Sequence, residues 1–232
     1  MTLLPALVFP LGAVLIAWLL PARMRLGAIV VAGLLAVFWL QPALPIRSLD
    51  YWLPTASLIL TIIVWTTTQP TILETADQRK SLLQAGGLIG GSLLLLSLTR
   101  YLDGVCCLSA SRPPQLGQVF LFVTAGLALA ALPLLLPRHR RLFSLAAVGI
   151  ILALFLVLKS PALLQAASHA LRGLTGQPVE LASPQDLSWI GFSFIAFRLL
   201  HALLDFRAGR LPAYRLDQFA AYVLFFPSLA AG

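Results

Sequence analysis

The stretch Val119-Phe-Leu-Phe-Val-Thr-Ala-Gly-Leu-Ala-Leu-Ala-Ala-Leu-Pro-Leu-Leu-Leu136, then Pro137-Arg-His-Arg-Arg141, then Leu142-Phe-Ser-Leu-Ala-Ala-Val-Gly-Ile-Ile-Leu-Ala-Leu-Phe-Leu-Val-Leu158 decides the fold. Two runs without a charged side chain flank a short basic connection. Each run is close to the roughly 20 apolar residues that cross a hydrocarbon core of about 30 Å. Lipid offers no partner to a backbone N–H or C=O, so each run must satisfy itself as a helix. A connection as short as Pro137 to Arg141 forces the two helices into a tight antiparallel hairpin.

Outward from this pair the same pattern recurs. Upstream, apolar runs cover about Leu3 to Leu20, Leu26 to Leu44, Tyr51 to Thr67 and Leu82 to Leu98; downstream they cover Leu187 to Phe206 and Leu216 to Gly232. The expected fold is all-α, a polytopic transmembrane bundle of about eight helices plus one interfacial helix. It forms a single domain over residues 1–232, with a six-helix part in 3–158 and two helices in 187–232. Composition agrees: 59% of residues are hydrophobic, 10% are charged and the mean hydropathy is +0.93, whereas a soluble domain carries about 25% charged residues.

The longest connection, 159–186, supplies the interfacial element. Its first part, Pro161 to Leu174, sets Leu and Ala against Gln165, Ser168, His169 and Arg172 at helical spacing, as in a helix lying along a membrane surface. Its second part, Thr175 to Pro184, is rich in Gly, Pro and Ser and reads as a loop.

Lys and Arg in short loops are retained on the cytoplasmic side. Alternate connections hold Arg23 and Arg25; Arg79 and Lys80; Arg138, Arg140 and Arg141; and Arg207, Arg210 and Arg215. The intervening ones hold only Arg47; Arg100 and Arg112; and Lys159 and Arg172. Both termini are therefore expected outside. The formal charge of +8 is read as topology and contact with anionic lipid, so the lipid bilayer is the expected partner. Nucleic-acid binding is excluded, because it needs a basic face on a folded soluble domain. The first apolar run is not expected to be a cleaved signal peptide, since its basic cluster follows it.

Gly86, Gly87, Gly90 and Gly91 in the fourth run form overlapping small-xxx-small patterns that let another helix approach, from the same chain or from a partner. Cys106 and Cys107 are adjacent in an outward loop. They read as interfacial or lipid-facing thiols, with an intermolecular disulfide or acylation as the alternative.

The C-terminal part carries the polar signal. Arg198, His201 and Asp205 are spaced three and four apart and fall on one arc of a helix. Charge inside a membrane is expensive unless it meets a partner or water. The three either form a polar lock between helices or line a cavity or tunnel that holds a substrate head group.

The run Gly191-Phe-Ser-Phe-Ile-Ala-Phe-Arg-Leu-Leu-His-Ala-Leu-Leu-Asp-Phe-Arg-Ala-Gly209, followed by Leu216-Asp-Gln-Phe-Ala-Ala-Tyr-Val-Leu-Phe-Phe-Pro-Ser-Leu-Ala-Ala-Gly232, resembles the membrane-bound O-acyltransferase (MBOAT) family. It is similar to the bacterial branch of D-alanyl transfer and alginate O-acetylation. The likeness covers 44 residues, Trp189 to Gly232. It implies the bacterial cytoplasmic membrane and transfer of an acyl group from a cytoplasmic thioester donor to a hydroxyl acceptor. Arg198, His201 and Asp205 would then shape a tunnel wall, while Arg207 and Arg210 would meet an anionic acyl donor at its cytoplasmic mouth.

The resemblance covers the family's N-terminal half only. The family's catalytic histidine lies beyond the Phe-Phe-Pro helix, whereas His201 precedes it, so no catalytic residue is assigned. One expectation is an enzyme half, split or truncated, whose missing helices come from a second membrane chain. The alternative is a non-catalytic structural subunit of a larger membrane complex. No P-loop, no Gly-x-Ser-x-Gly elbow and no Cys/His cluster occurs, so neither cofactor nor metal is expected.

Overall fold

In this computed structural model the described residues are 3–69, 76–101 and 110–229, and they form helices and connections with no strand. The helices are α1 (Leu3–Leu19), α2 (Ala22–Trp39), α3 (Leu49–Thr68), α4 (Ala76–Leu98), α5 (Leu116–Leu135), α6 (Arg140–Lys159), α7 (Pro161–Leu174), α8 (Phe192–Arg207), α9 (Leu216–Val223) and α10 (Phe226–Leu229). Four segments, Leu49–Thr68, Leu82–Tyr101, Leu116–Leu135 and Pro137–Lys159, are long and apolar enough to cross a membrane. Cys106 and Cys107 lie outside the described residues.

Polarity decides which of these segments lies inside. α3 carries Asp50, Thr55, Ser57, Thr61, Thr66, Thr67 and Thr68, all buried, and 72% of its most apolar stretch is covered. The segment Pro137–Lys159 is the most apolar of the four and is only 17% covered. Most of the hydroxyls on α3 are satisfied within the helix: Thr55, Thr61 and Thr67 donate to the carbonyls of Tyr51, Ser57 and Ile63, at 2.8, 2.8 and 2.7 Å. Tyr51 reaches across instead and donates its hydroxyl to the Leu93 carbonyl of α4 at 2.8 Å.

A turn over Pro137–His139 joins α5 and α6, but the tight hairpin expected of them is not formed: α5 packs on α3, and α6 on α3, α7 and α8, rather than closely on each other. Covering the hydroxyl-bearing helix wins over closing the hairpin. The close approach here is at Gly126 of α5, where a Cβ would come within 2.5 Å of Ile59 on α3.

Three expected runs are redrawn. The second helix starts at Ala22 and stops at Trp39, short of the sequence Gln41-Pro-Ala-Leu-Pro45. The seventh starts only at Phe192, after Gly191 at φ 81°. The eighth is not one helix over the described residues: α9 ends at Val223 and α10 begins at Phe226. Pro227 lacks the N–H that would bond the Val223 carbonyl four residues back. At 8 residues, α9 rises about 12 Å, too little to cross a bilayer. The break seats Leu224 against Gly33 of α2, where a Cβ would collide with the Leu224 carbonyl oxygen. By contrast, nothing in the described chain lies within 4 Å of a Cβ built on Gly86, Gly87, Gly90 or Gly91. Among the described residues, those four glycines bring no other helix within that distance.

The connections fall into two groups at opposite ends. At one end Gln41 donates to the Ile190 carbonyl at 3.0 Å, Gln177 donates to the Pro45 carbonyl at 3.0 Å, and Asp50 accepts from the Ser111 amide at 2.6 Å. At the other, Trp65 donates to the Tyr214 carbonyl at 3.0 Å and the Tyr214 amide donates to Gln69 at 3.1 Å. Arg141 and Arg207 line one cleft at that same end. The second, fourth and sixth connections thus meet at one end, and the third, fifth and seventh at the other.

Candidate functional site

α8 buries Phe192, Ile195, Ala196, Leu199, Ala202 and Leu203 against the core. Helical spacing then leaves Arg198, His201 and Asp205 along one edge, facing the loop 208–215 and α9. Gly209, at φ 69°, turns the chain back after α8. Between helix, loop and α9 lies a cleft of about 550 Å³ whose lining includes His201, Asp205, Tyr214, Gln218 and Tyr222, with Leu211 and Phe219 as apolar wall.

Asp205 is the centre of this edge. Its Oδ2 lies 3.5 Å from His201 Nε2 and its Oδ1 lies 3.4 Å from Arg210 Nη2. The carboxylate is 24% exposed, its two partners 69% and 74%, so the cluster opens into the cleft rather than closing over itself. Contacts this long between exposed groups are weak and easily exchanged for a ligand.

Arg198 is engaged differently. Its Nη1 donates to the Val223 carbonyl at 3.1 Å, the acceptor that Pro227 leaves without its helical donor. Its guanidinium also lies 5.5 Å and 5.9 Å from the ring centroids of Tyr222 and Phe225. It therefore ties α8 to the α9–α10 break, and of the three residues on the arc His201 and Asp205 are the two that line the cleft.

The mouth residues separate as well. Arg210 turns to Asp205, whereas Arg207 lines a second cleft with Arg141 of α6. The sequence does not single out Tyr214, Gln218 or Tyr222. Only the return of the chain after Gly209 brings them to α8, and no helical spacing along one element signals that.

A second polar cluster sits at the opposite end. Asp186 Oδ2 accepts from Arg172 Nε at 2.7 Å, from the Ser168 hydroxyl at 2.6 Å and from the Ser183 amide at 3.3 Å. Both ionic side chains are close to fully covered, at 6% and 5%. The Arg172 guanidinium holds the Asp186 carboxyl below the usual carboxylate range; burial opposes this, and Ser168 and Ser183 add to the lowering. α7 thus buries Ser168 and Arg172 and leaves Leu163 and Leu174 exposed. Among the described residues no three His, Cys, Asp or Glu side chains come together as a metal site.

No protein-family model, no curated protein and no solved structure matches this chain.

Proposed function

We propose that this chain is an integral membrane protein whose helices are embedded in the bilayer with the N-terminus outside, built like the N-terminal half of a membrane-bound O-acyltransferase. In this reading the α8–α9 cleft holds the polar head of an acyl-bearing amphiphile. The observation that carries the reading is that cleft. It is half open, walled by Leu211 and Phe219, and has His201 and Asp205 on one side and two tyrosines and Gln218 around the rest. An apolar wall with a few convergent polar groups suits a ligand with one wet end and one oily end.

Residues 201–222, within the stretch that carries the resemblance, build both sides of the cleft, and the exposed apolar faces of α5 and α6 suit lipid as solvent. Acyl transfer would need the histidine that the family carries after its Phe-Phe-Pro helix, so this segment supplies the wall of the site and not the transferring group.

The test is photolabelling of the purified chain in lipid nanodiscs with a diazirine-bearing long-chain acyl thioester. Labelling concentrated in 201–222 and lowered by His201→Leu and Asp205→Asn is the expected result. Labels spread evenly over α5 and α6 would remove the binding reading. Orientation is tested separately with single cysteines placed at Arg138 or Arg140, in a background lacking Cys106 and Cys107. They should resist a membrane-impermeant thiol reagent added to intact cells.

One observation favours a second reading, a structural subunit of a membrane complex. α4 presents Gly86, Gly87, Gly90 and Gly91 with none of the described residues packed over them and Leu83 and Leu95 exposed on the same helix. Small residues on an open helix face suit close approach by a helix of another chain.

A further inference from the structure

Arg141 stands in the first turn of α6 and Arg207 ends α8, and the packing of these two helices brings both to one cleft of about 520 Å³. Its other lining residues are Leu145, Phe206 and Gly209. Nothing in the sequence pairs the two arginines, which lie far apart in the chain. Among the described residues neither side chain makes a hydrogen bond or an ion pair, in contrast to that of Arg210, which turns to Asp205. The cleft lining holds no acidic side chain.

Two guanidiniums around one cleft favour an anion with several oxygens, and phosphate matches the planar fork of arginine. The apolar side of the cleft says what the phosphate is attached to. From Arg141 the outer face of α6 continues through Leu145, Gly149, Leu152 and Leu156, at helical spacings of four, four, three and four. The three leucines are 48%, 53% and 64% exposed, and a Cβ on Gly149 would meet nothing within 4 Å. The open track from Leu145 to Leu156 is about 16 Å long. A charged head at Arg141 and Arg207 would thus continue directly onto an exposed apolar helix face.

We infer that Arg141 and Arg207 form a binding site for a phosphate ester, and that its ligand is the headgroup of an anionic phospholipid whose acyl chain lies along α6. This rests on the membrane-spanning reading above, but it shares no residue with the α8–α9 cleft. Basic pockets between helices on the cytoplasmic side are where such headgroups are held.

The experiment is native mass spectrometry of the full chain released from nanodiscs of phosphatidylcholine containing a minor fraction of phosphatidylglycerol. The wild-type protein should retain phosphatidylglycerol in preference to phosphatidylcholine. Arg141→Gln with Arg207→Gln should lower that retention about tenfold or more. Lys80→Gln with Arg138→Gln removes the same charge from the same end and should leave it unchanged.

Equal loss in the two double variants would reduce the effect to surface charge and overturn the site. So would a wild-type protein without preference, a result that needs no variant to fold. Release of the lipid by millimolar inorganic phosphate alone would assign the cleft to free phosphate and overturn the lipid ligand. Extraction of the chain from membranes by alkaline carbonate would instead defeat the spanning arrangement. A protein that stays in the membrane without lipid preference defeats only this site.

Discussion

The two polar clusters use the same chemistry and behave in opposite ways. At one end Ser168, Arg172 and the Ser183 amide converge on a single carboxylate oxygen of Asp186, and the Arg172 and Asp186 side chains are sealed from solvent. At the other, Asp205 is shared at 3.4–3.5 Å by His201 and Arg210, both largely exposed, beside a cleft. A buried carboxylate with short charge-assisted bonds loses a great deal when one donor is removed, because the remaining charge has no water to turn to. An open cluster loses little, because water replaces the missing partner. The first cluster holds the α7 connection in place, and the second is free to exchange partners with a ligand.

The largest expected effect comes from breaking the sealed cluster. Asp186→Leu should lower the melting temperature in detergent more than any single change at Asp205, Arg198 or the glycines, and Arg172→Leu combined with it should recover part of that loss. Equal melting of Asp186→Leu and Asp205→Asn would erase the contrast.

Next comes the tie between α8 and the α9–α10 break. Arg198→Leu leaves the Val223 carbonyl without its donor and should cost about 1–3 kcal/mol, read from the same thermal transition. The two sets of glycines repeat the contrast between closed and open at similar size. Gly33→Ala collides with Leu224 and should destabilise by about 1–3 kcal/mol, while Gly90→Ala should be neutral or slightly stabilising in the isolated chain.

Acid sharpens the comparison further. The Asp186 carboxyl titrates below its unfolded value, so its contribution is present above the unfolded pKa of about 3.9. It is lost as pH falls through the lower folded value. Amide exchange in residues 161–186 should stay protected down to that range and rise only below it. The smallest effect is Asp205→Asn, about 0–1 kcal/mol in stability, accompanied by the loss of probe labelling in the cleft.

Much of this architecture is legible in the chain itself. The uncharged runs around Pro137 to Arg141 identify two of the long helices without any tertiary information, and Pro161–Leu174 forms the helix that its spacing announces. The eighth run is not legible to its end. Pro227 is acceptable near a helix start as well as disruptive inside one, and only the packing of Leu224 on Gly33 and of Arg198 on the Val223 carbonyl selects the break. The glycine pattern of α4 illustrates the same ambiguity. Small residues permit close approach but do not attract a neighbour, and among the described residues the glycines that a neighbour crowds are Gly33 and Gly126.

Of the candidate site, helical spacing locates the arc of Arg198, His201 and Asp205 but not its division of labour. Tyr214, Gln218 and Tyr222 come from beyond a turn, and the Arg141–Arg207 pair comes from two separate helices. The amino-acid sequence alone determines which segments are helices, since hydrophobicity and backbone self-satisfaction are local properties with a fixed period. Only the tertiary structure decides which polar groups meet and which stay open. That choice depends on how helices remote in the chain cover the hydroxyl-rich surface of α3, and no local period encodes it.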